Sequence, residues 1–209
     1  MSIIGRLACN QGRADEVLNQ ELAKELAETE NKKEIKEIAV NLWNKDKKIK
    51  SDCIKVLYEI GYIKPELISY YVSDFIKLLK NKNNRLVWGA MIALSTIAEL
   101  KAENIYENLD YIYSVLDSGS VITIDNGIKV LAKAASKNKD YNEKIFPYLI
   151  NHLKTCRPKE IPQHSESILP AVNNNNKDEF ITTIKEREST MTLSQQKRIS
   201  KLLKSLGDD

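Results

Sequence analysis

Few side chains in this 209-residue sequence are able to do covalent or metal chemistry. The thiols are Cys9, Cys53 and Cys156, and the imidazoles are His152 and His164. No Cys-x-x-Cys pair is present, and the placing of the two histidines in the sequence does not complete a zinc site, so no metal ligands are expected. The cysteines are too scattered for a disulfide framework and suit a reducing compartment. Cys53 lies on an apolar stripe and reads as a small buried core residue. Phosphate-cradling glycine loops, His-Glu-x-x-His and the Gly-x-Ser-x-Gly elbow are all missing, so neither catalytic residues nor a cofactor is assigned. The remaining chemistry is non-covalent recognition. Trp88 stands three residues after Arg85, an aromatic and a cation of the kind that anchor interfaces. Asp125, Asn126 and Lys129 form a second polar group.

These residues sit on an internal repeat. Residues 46–61, 83–98 and 120–135 align without a gap at an offset of 37. The matched columns are Ile49/Leu86/Thr123, Cys53/Ala90/Gly127, Val56/Ala93/Val130, Leu57/Leu94/Leu131 and Ile60/Ile97/Ala134. That spacing puts each set on one face of a helix, here called B. The second column is small in every copy, which lets a neighbouring helix approach closely. A partner helix, A, repeats at the same offset through Ile35, Ile38, Ala39 and Leu42. Its later copies are Val72, Phe75, Ile76 and Leu79; Leu109, Ile112, Tyr113 and Leu116; and Phe146, Leu149, Ile150 and Leu153. Each unit is therefore read as two helices, which bury their apolar faces only by stacking on further copies.

The rest of the chain is organised around this array. Asp15–Glu28 reads as a capping helix with Val17, Leu18, Leu22 and Leu26 inward. A fourth B segment spans Lys159–Val172, where Pro162 suits a first helical turn and Pro170 disturbs the helix end. Asn173–Asn176 reads as a polar linker, Lys177–Thr190 as another A helix and Leu193–Leu206 as a closing helix. Gly207-Asp208-Asp209 is expected to fray. The division is one domain, 1–209: a cap at 1–32, repeats at 33–172 and capping helices at 173–209. Scarce Gly and Pro disfavour a sheet protein. Lys and Arg exceed Asp and Glu by only 32 to 29, interspersed, short of the basic excess of a dedicated nucleic-acid domain. The first ten residues lack the apolar core of a signal peptide, and no 18-residue apolar run is present. The expectation is a soluble, cytoplasmic protein with no membrane partner; the sequence leaves its oligomeric state open.

The B segments resemble the HEAT repeat, which often runs apolar-Arg-x-x-Ala-x-x-Ala-Leu-Gly-x-apolar. Residues 86–97 are similar through Leu86, Ala90, Ala93, Leu94 and Ile97; residues 49–60 are similar through Ile49, Lys50, Leu57 and Ile60. The family's arginine is Lys50 in one unit and Val87 and Ile124 in the next two, which puts the usual Asp–Arg ladder in doubt. The chain as a whole also resembles bacterial and archaeal HEAT-repeat proteins. The resemblance implies an all-α, right-handed superhelical solenoid with the B helices lining a concave, partner-binding face.

On that implied face four columns point away from the apolar stripe: Ser51/Trp88/Asp125; Asp52/Gly89/Asn126; Lys55/Ile92/Lys129/Glu166; and Lys48/Arg85/Ile122/Lys159. The partner contacts expected on this face are Arg85, Trp88, Asp125, Asn126 and Lys129. Other readings stay open beside them. Trp88 also fits packing between repeats, and Thr123 or Asp125 fits a helix cap. Trp43 reads as structural, and Tyr106, Tyr111 and Tyr113 fall on the A-helix periodicity and read as packing. Arg157-Pro158-Lys159 with His164 reads as a solvated basic end or an anion contact. The function expected is a non-enzymatic scaffold for a protein or peptide. The alternative is nucleic-acid binding. Residues 42–60, starting Leu42-Trp43-Asn44-Lys45-Asp46, resemble a repeat of the alkylpurine DNA glycosylases, HEAT-like solenoids that hold damaged DNA. That resemblance would make Asp125 the carboxylate, although no tryptophan closely precedes it.

Overall fold

A computed structural model describes residues 2–13 and 15–207; Asp208 and Asp209, expected to fray, lie outside the described residues. The described residues contain helices and no strand. The chain divides into two compact units, Met1–Val130 and Leu131–Asp209.

In the first unit, two short 3-10 turns (Ile3–Arg6 and Ala8–Gln11) precede α1 (Val17–Thr29), α2 (Lys32–Val40) and α3 (Lys47–Ile63). Then come α4 (Val72–Leu78), α5 (Asn84–Ile97), α6 (Ala102–Tyr106) and α7 (Leu109–Asp117). Helix α8 (Val121–Ala135) carries the boundary. Helices α1, α3 and α5 pack side by side as the B layer, with α2 against α3 and α4 against α5 as the A layer. The A halves are less regular than two helices per unit implies. Residues 65–71 form two 3-10 turns ahead of α4, and the next A half is split into α6 and α7. Pro65 at the head of the first turn removes one backbone donor there.

The repeat is also written in the helix starts. Asp46 and Asn83 accept the Lys48 and Arg85 N–H groups at 2.7 and 3.0 Å, capping α3 and α5. Ser120 Oγ accepts the Thr123 N–H at 3.3 Å at the head of α8. These three positions are spaced 37 residues apart, and each polar side chain satisfies a donor that the first helical turn leaves over. Ser120, rather than Thr123 or Asp125, is therefore the cap of α8; Thr123 is fully buried in its first turn. The A-face sets are buried throughout, except for a half-buried Tyr113. The small-residue column does what its size allows. A Cβ on Gly127 would stand 2.1 Å from Leu116 Cδ2 of α7.

Helix α1 starts later than expected, at Val17, and Val17 itself is exposed. Asn19 is buried in its place and accepts the Ala8 N–H at 3.0 Å, because the N-terminal turns pack along that side of the helix.

The second unit holds α9 (Lys139–Thr155), α10 (Ile161–Ile168), α11 (Lys177–Glu186) and α12 (Leu193–Ser205). Pro162 lies in the first turn of α10 and Pro170 in a closing 3-10 turn. The asparagine run is an ordered turn rather than a loose linker. Asn176 Nδ2 donates to Asn142 Oδ1 at 2.9 Å and to the Ala171 carbonyl at 3.0 Å, and Asn142 Nδ2 donates to that carbonyl at 2.8 Å. Among the described residues no helix is long and apolar enough to cross a membrane.

Candidate partner-binding face

The face begins with how neighbouring B helices shade one another. With α1 and α5 on either side of α3, much of the flanking columns is covered. Lys55 and Ile92 are buried, as are Asp52, Gly89 and Asn126. Two columns stay open: half-buried Ser51, Trp88 and Asp125, and the column of Lys48, Arg85, Ile122 and Lys159. Asn126 spends a side-chain N–H on the Ile122 carbonyl at 2.8 Å within its own helix. Lys129 is half-buried.

Arg85 and Trp88 meet. The Arg85 guanidinium lies 5.9 Å from the Trp88 ring centroid, and that ring lies 6.4 Å from Tyr58 of α3. Trp88 thus packs against the preceding repeat and stays half-buried. Sequence reasoning missed Glu16, which comes from the segment before α1. Its carboxylate accepts from Arg85 at 2.6 Å and from Lys55 at 2.9 Å. Lys55 also reaches Glu59 at 2.6 Å and lies 4.9 Å over the Tyr58 ring.

Burial penalises the Lys55 ammonium, yet its hydrogen bonds to Glu59, Glu16 and Tyr58 outweigh that and raise its pKa. The hydrogen bond from Lys55, opposed in part by burial and aided by the charges of Lys55 and Arg85, holds the Glu16 carboxyl below the ordinary carboxylate range. A carboxyl whose folded pKa is lowered stabilises the fold above its unfolded pKa, and the benefit vanishes as pH falls through the folded value. Glu16→Gln is therefore expected to melt lower than wild type at neutral pH. Because Glu16 is 40% exposed, the gap should be under about 1 kcal/mol and close below roughly pH 4. Thermal melts of both proteins between pH 3 and 7 check this.

Beside Arg85 a cleft of about 460 Å³ is lined by Arg13, Lys47, Lys48, Ser51 and Asp52 as well as Arg85, and is closed by Cys9 and Gly12. Gly12, at φ 69°, turns the chain into this rim. Asp52 accepts the Cys9 N–H at 2.8 Å, so the rim is tied to α3. Lys47 and Lys48 are exposed on the first turn of α3, and Arg85 projects from the first turn of α5. Helix starts favour anions, and here they carry cations as well. A larger cleft of about 610 Å³ in the second unit borders Asn142, Asn173 and Asn176, amides already bonded to one another. Burial pushes the Cys9 and Cys156 thiols up to about 11, so both stay protonated at neutral pH.

Trp43 is half-exposed and donates to Asp74 at 3.2 Å, joining α4 to the turn after α2. His164 is fully buried rather than on the solvated surface, and the Arg157 guanidinium of the basic end pairs with Glu160. The histidines do come together, contrary to the sequence expectation: the ligand atoms of His152, Cys156 and His164 all lie within 4.8 Å of one another.

No protein-family model matches the sequence, and no curated protein does. Solved structures match closely in fold. A designed armadillo repeat protein in complex with the peptide (KR)4 is 18% identical, with a TM-score of 0.66 over 88% of this chain and 85% of its own. Computationally designed armadillo repeat proteins for modular peptide recognition give 0.65 at 18% identity over 90% and 89%. Kap121p bound to Pho4p gives 0.61 at 17% identity, covering 94% of this chain and 22% of that one. The chain has the fold of a HEAT/armadillo-type all-α solenoid.

Proposed function

We propose, with the HEAT/armadillo-type solenoid as the premise, that this chain is a non-enzymatic binding module whose B-helix face holds an acidic segment of a protein partner. The observation that carries the reading is the seat of Glu16. A carboxylate from the N-cap of α1 lies between Arg85, whose guanidinium also meets Trp88, and Lys55, which lies over Tyr58. A site that holds one carboxylate in this way has the chemistry to hold another, with Trp88 as the apolar anchor and Arg85 as the forked donor. Lys47 and Lys48 extend the positive stripe, and Asp125 and Lys129 on α8 give polar contacts further along. The peptide in the designed neighbour is basic; the cations gathered here call for the opposite charge.

The test is fluorescence anisotropy with a labelled peptide of alternating glutamate and leucine, against wild type and an Arg85→Ala/Trp88→Ala variant. The variant is expected to bind at least about tenfold more weakly while keeping its helix content. Equal binding by both proteins would remove the face assignment. Preferential binding of single-stranded or duplex DNA, weakening steeply between two salt concentrations, would replace the peptide reading with a phosphate one.

A further inference from the structure

The end of α9 and the start of α10 gather three side chains that the face above does not use. His152 lies in the last turn of α9 and Cys156, four residues on, is its C-cap, with the Cys156 N–H donating to the His152 carbonyl at 2.8 Å. His164 arrives from α10 and is fully buried, an uncommon situation for a polar ring that needs a polar reason. His152 Nε2 and His164 Nδ1 lie 2.8 Å apart, with ring centroids at 4.8 Å. One imidazole donating to the other joins the two helices but makes no use of the thiol beside them. Cys156 Sγ has only a weak contact of 3.8 Å to the Leu153 carbonyl.

Two imidazoles and a thiolate are a ligand set for a borderline-soft transition ion and a poor one for magnesium or calcium. Tetrahedral zinc, with bonds of about 2.0–2.3 Å, separates its donor atoms by roughly 3.3–3.6 Å. The two nitrogens, 2.8 Å apart, must part slightly, and the donor atoms, all within 4.8 Å of one another, must settle to that separation, movements of about 1 Å.

We infer that His152, Cys156 and His164 form a zinc(II) site that fastens the end of α9 to α10. His152 binds through Nε2, His164 through Nδ1 and Cys156 through its thiolate, the thiol proton leaving to solvent as the sulfur–zinc bond forms. Three protein ligands leave a fourth position for water or an incoming small ligand.

The full chain, stripped with a chelator, is titrated with cobalt(II) and then with zinc(II). Saturable binding of one ion per chain is expected, with the ligand-field bands of tetrahedral cobalt and a thiolate-to-cobalt charge-transfer band, both abolished by zinc and untouched by magnesium. Cys156→Ser should lose the charge-transfer band. His152→Gln should weaken binding by about tenfold or more, since altering even an outer-shell partner costs 10–100-fold. His152 is half-buried, so its replacement tests the site without emptying the core; circular dichroism of both variants checks the fold. Zinc should raise the melting temperature of wild type and leave His152→Gln nearly unmoved. No saturable cobalt or zinc binding by wild type would overturn the site, as would binding by either variant indistinguishable from wild type.

Discussion

Replacing Arg187 with alanine is expected to destabilise the protein by about 3 kcal/mol, although nothing in its sequence neighbourhood marks it. The guanidinium stands at the end of α11 and reaches across to the end of α9. Nη1 donates to the carbonyls of Leu153, at 2.8 Å, and Lys154, and Nη2 donates to that of Cys156 at 2.8 Å. A helix leaves its last carbonyls without intrahelical partners, and its C-terminus carries partial negative charge. One cation with a rigid fork of donors answers both needs. Hydrogen bonds to a charged group contribute about 1.5–3 kcal/mol each, but water replaces part of the loss at the exposed Lys154 end, so the sum falls well short of three full bonds. Arg187→Lys should recover only a fraction, because an ammonium cannot span three carbonyls in a plane. Urea unfolding followed by far-ultraviolet circular dichroism measures both. The midpoint should drop with the slope unchanged, and a lysine variant as stable as wild type would show that charge alone, not the fork, is what matters.

Gly61→Ala is the second large effect, a loss of about 1–3 kcal/mol from adding one methyl group. Helices α3 and α5 approach closely there. A Cβ on Gly61 would sit 2.3 Å from Thr96 Oγ1, 2.7 Å from Ile68 Cδ1 and 3.0 Å from Thr96 Cβ. Thr96 is stiff at χ1, and its hydroxyl donates to the Ala93 carbonyl at 2.7 Å, so it yields poorly. Alanine's better helix propensity, worth about 1 kcal/mol, offsets part of the strain. A double-mutant cycle isolates the contact. Adding Thr96→Ala to Gly61→Ala should return the part of the loss due to Thr96 Oγ1, whereas strictly additive effects would place the strain elsewhere.

The repeat was legible because it rests on spacing. Leu86, Ala90, Ala93, Leu94 and Ile97 are all fully buried, and the 37-residue offset extends even to the caps Asp46, Asn83 and Ser120. Periodicity reports which side of a helix is apolar; it does not report how far a neighbouring helix overhangs the other side. Lys55, Ile92 and Asn126 sit in columns that periodicity points away from the core, and all three are buried. Lys55 did carry a signal, a lone cation amid the buried run Cys53–Tyr58 that needed acidic partners. Glu59 was legible one turn away, but Glu16, 39 residues earlier, was not. The same limit applies to the histidines. The four-residue step from His152 to Cys156 is visible in the sequence, whereas the return of His164 depends on how the Arg157-Pro158 turn sets α10 against α9.

The seat of Glu16 gives the proposed face a threshold. Glu16 is fixed at the N-cap of α1, a carboxylate held within its own receptor, so a competing group meets it at a high effective concentration. A single free carboxylate, acetate for example, would gain little against such a competitor. A segment bearing several carboxylates and an apolar side chain could lift Glu16 away, using contacts with Lys47, Lys48 and Trp88 that Glu16 itself does not make. The tethered residue would then act as a filter on valency, passing over scattered acidic groups and answering only to a clustered run of them.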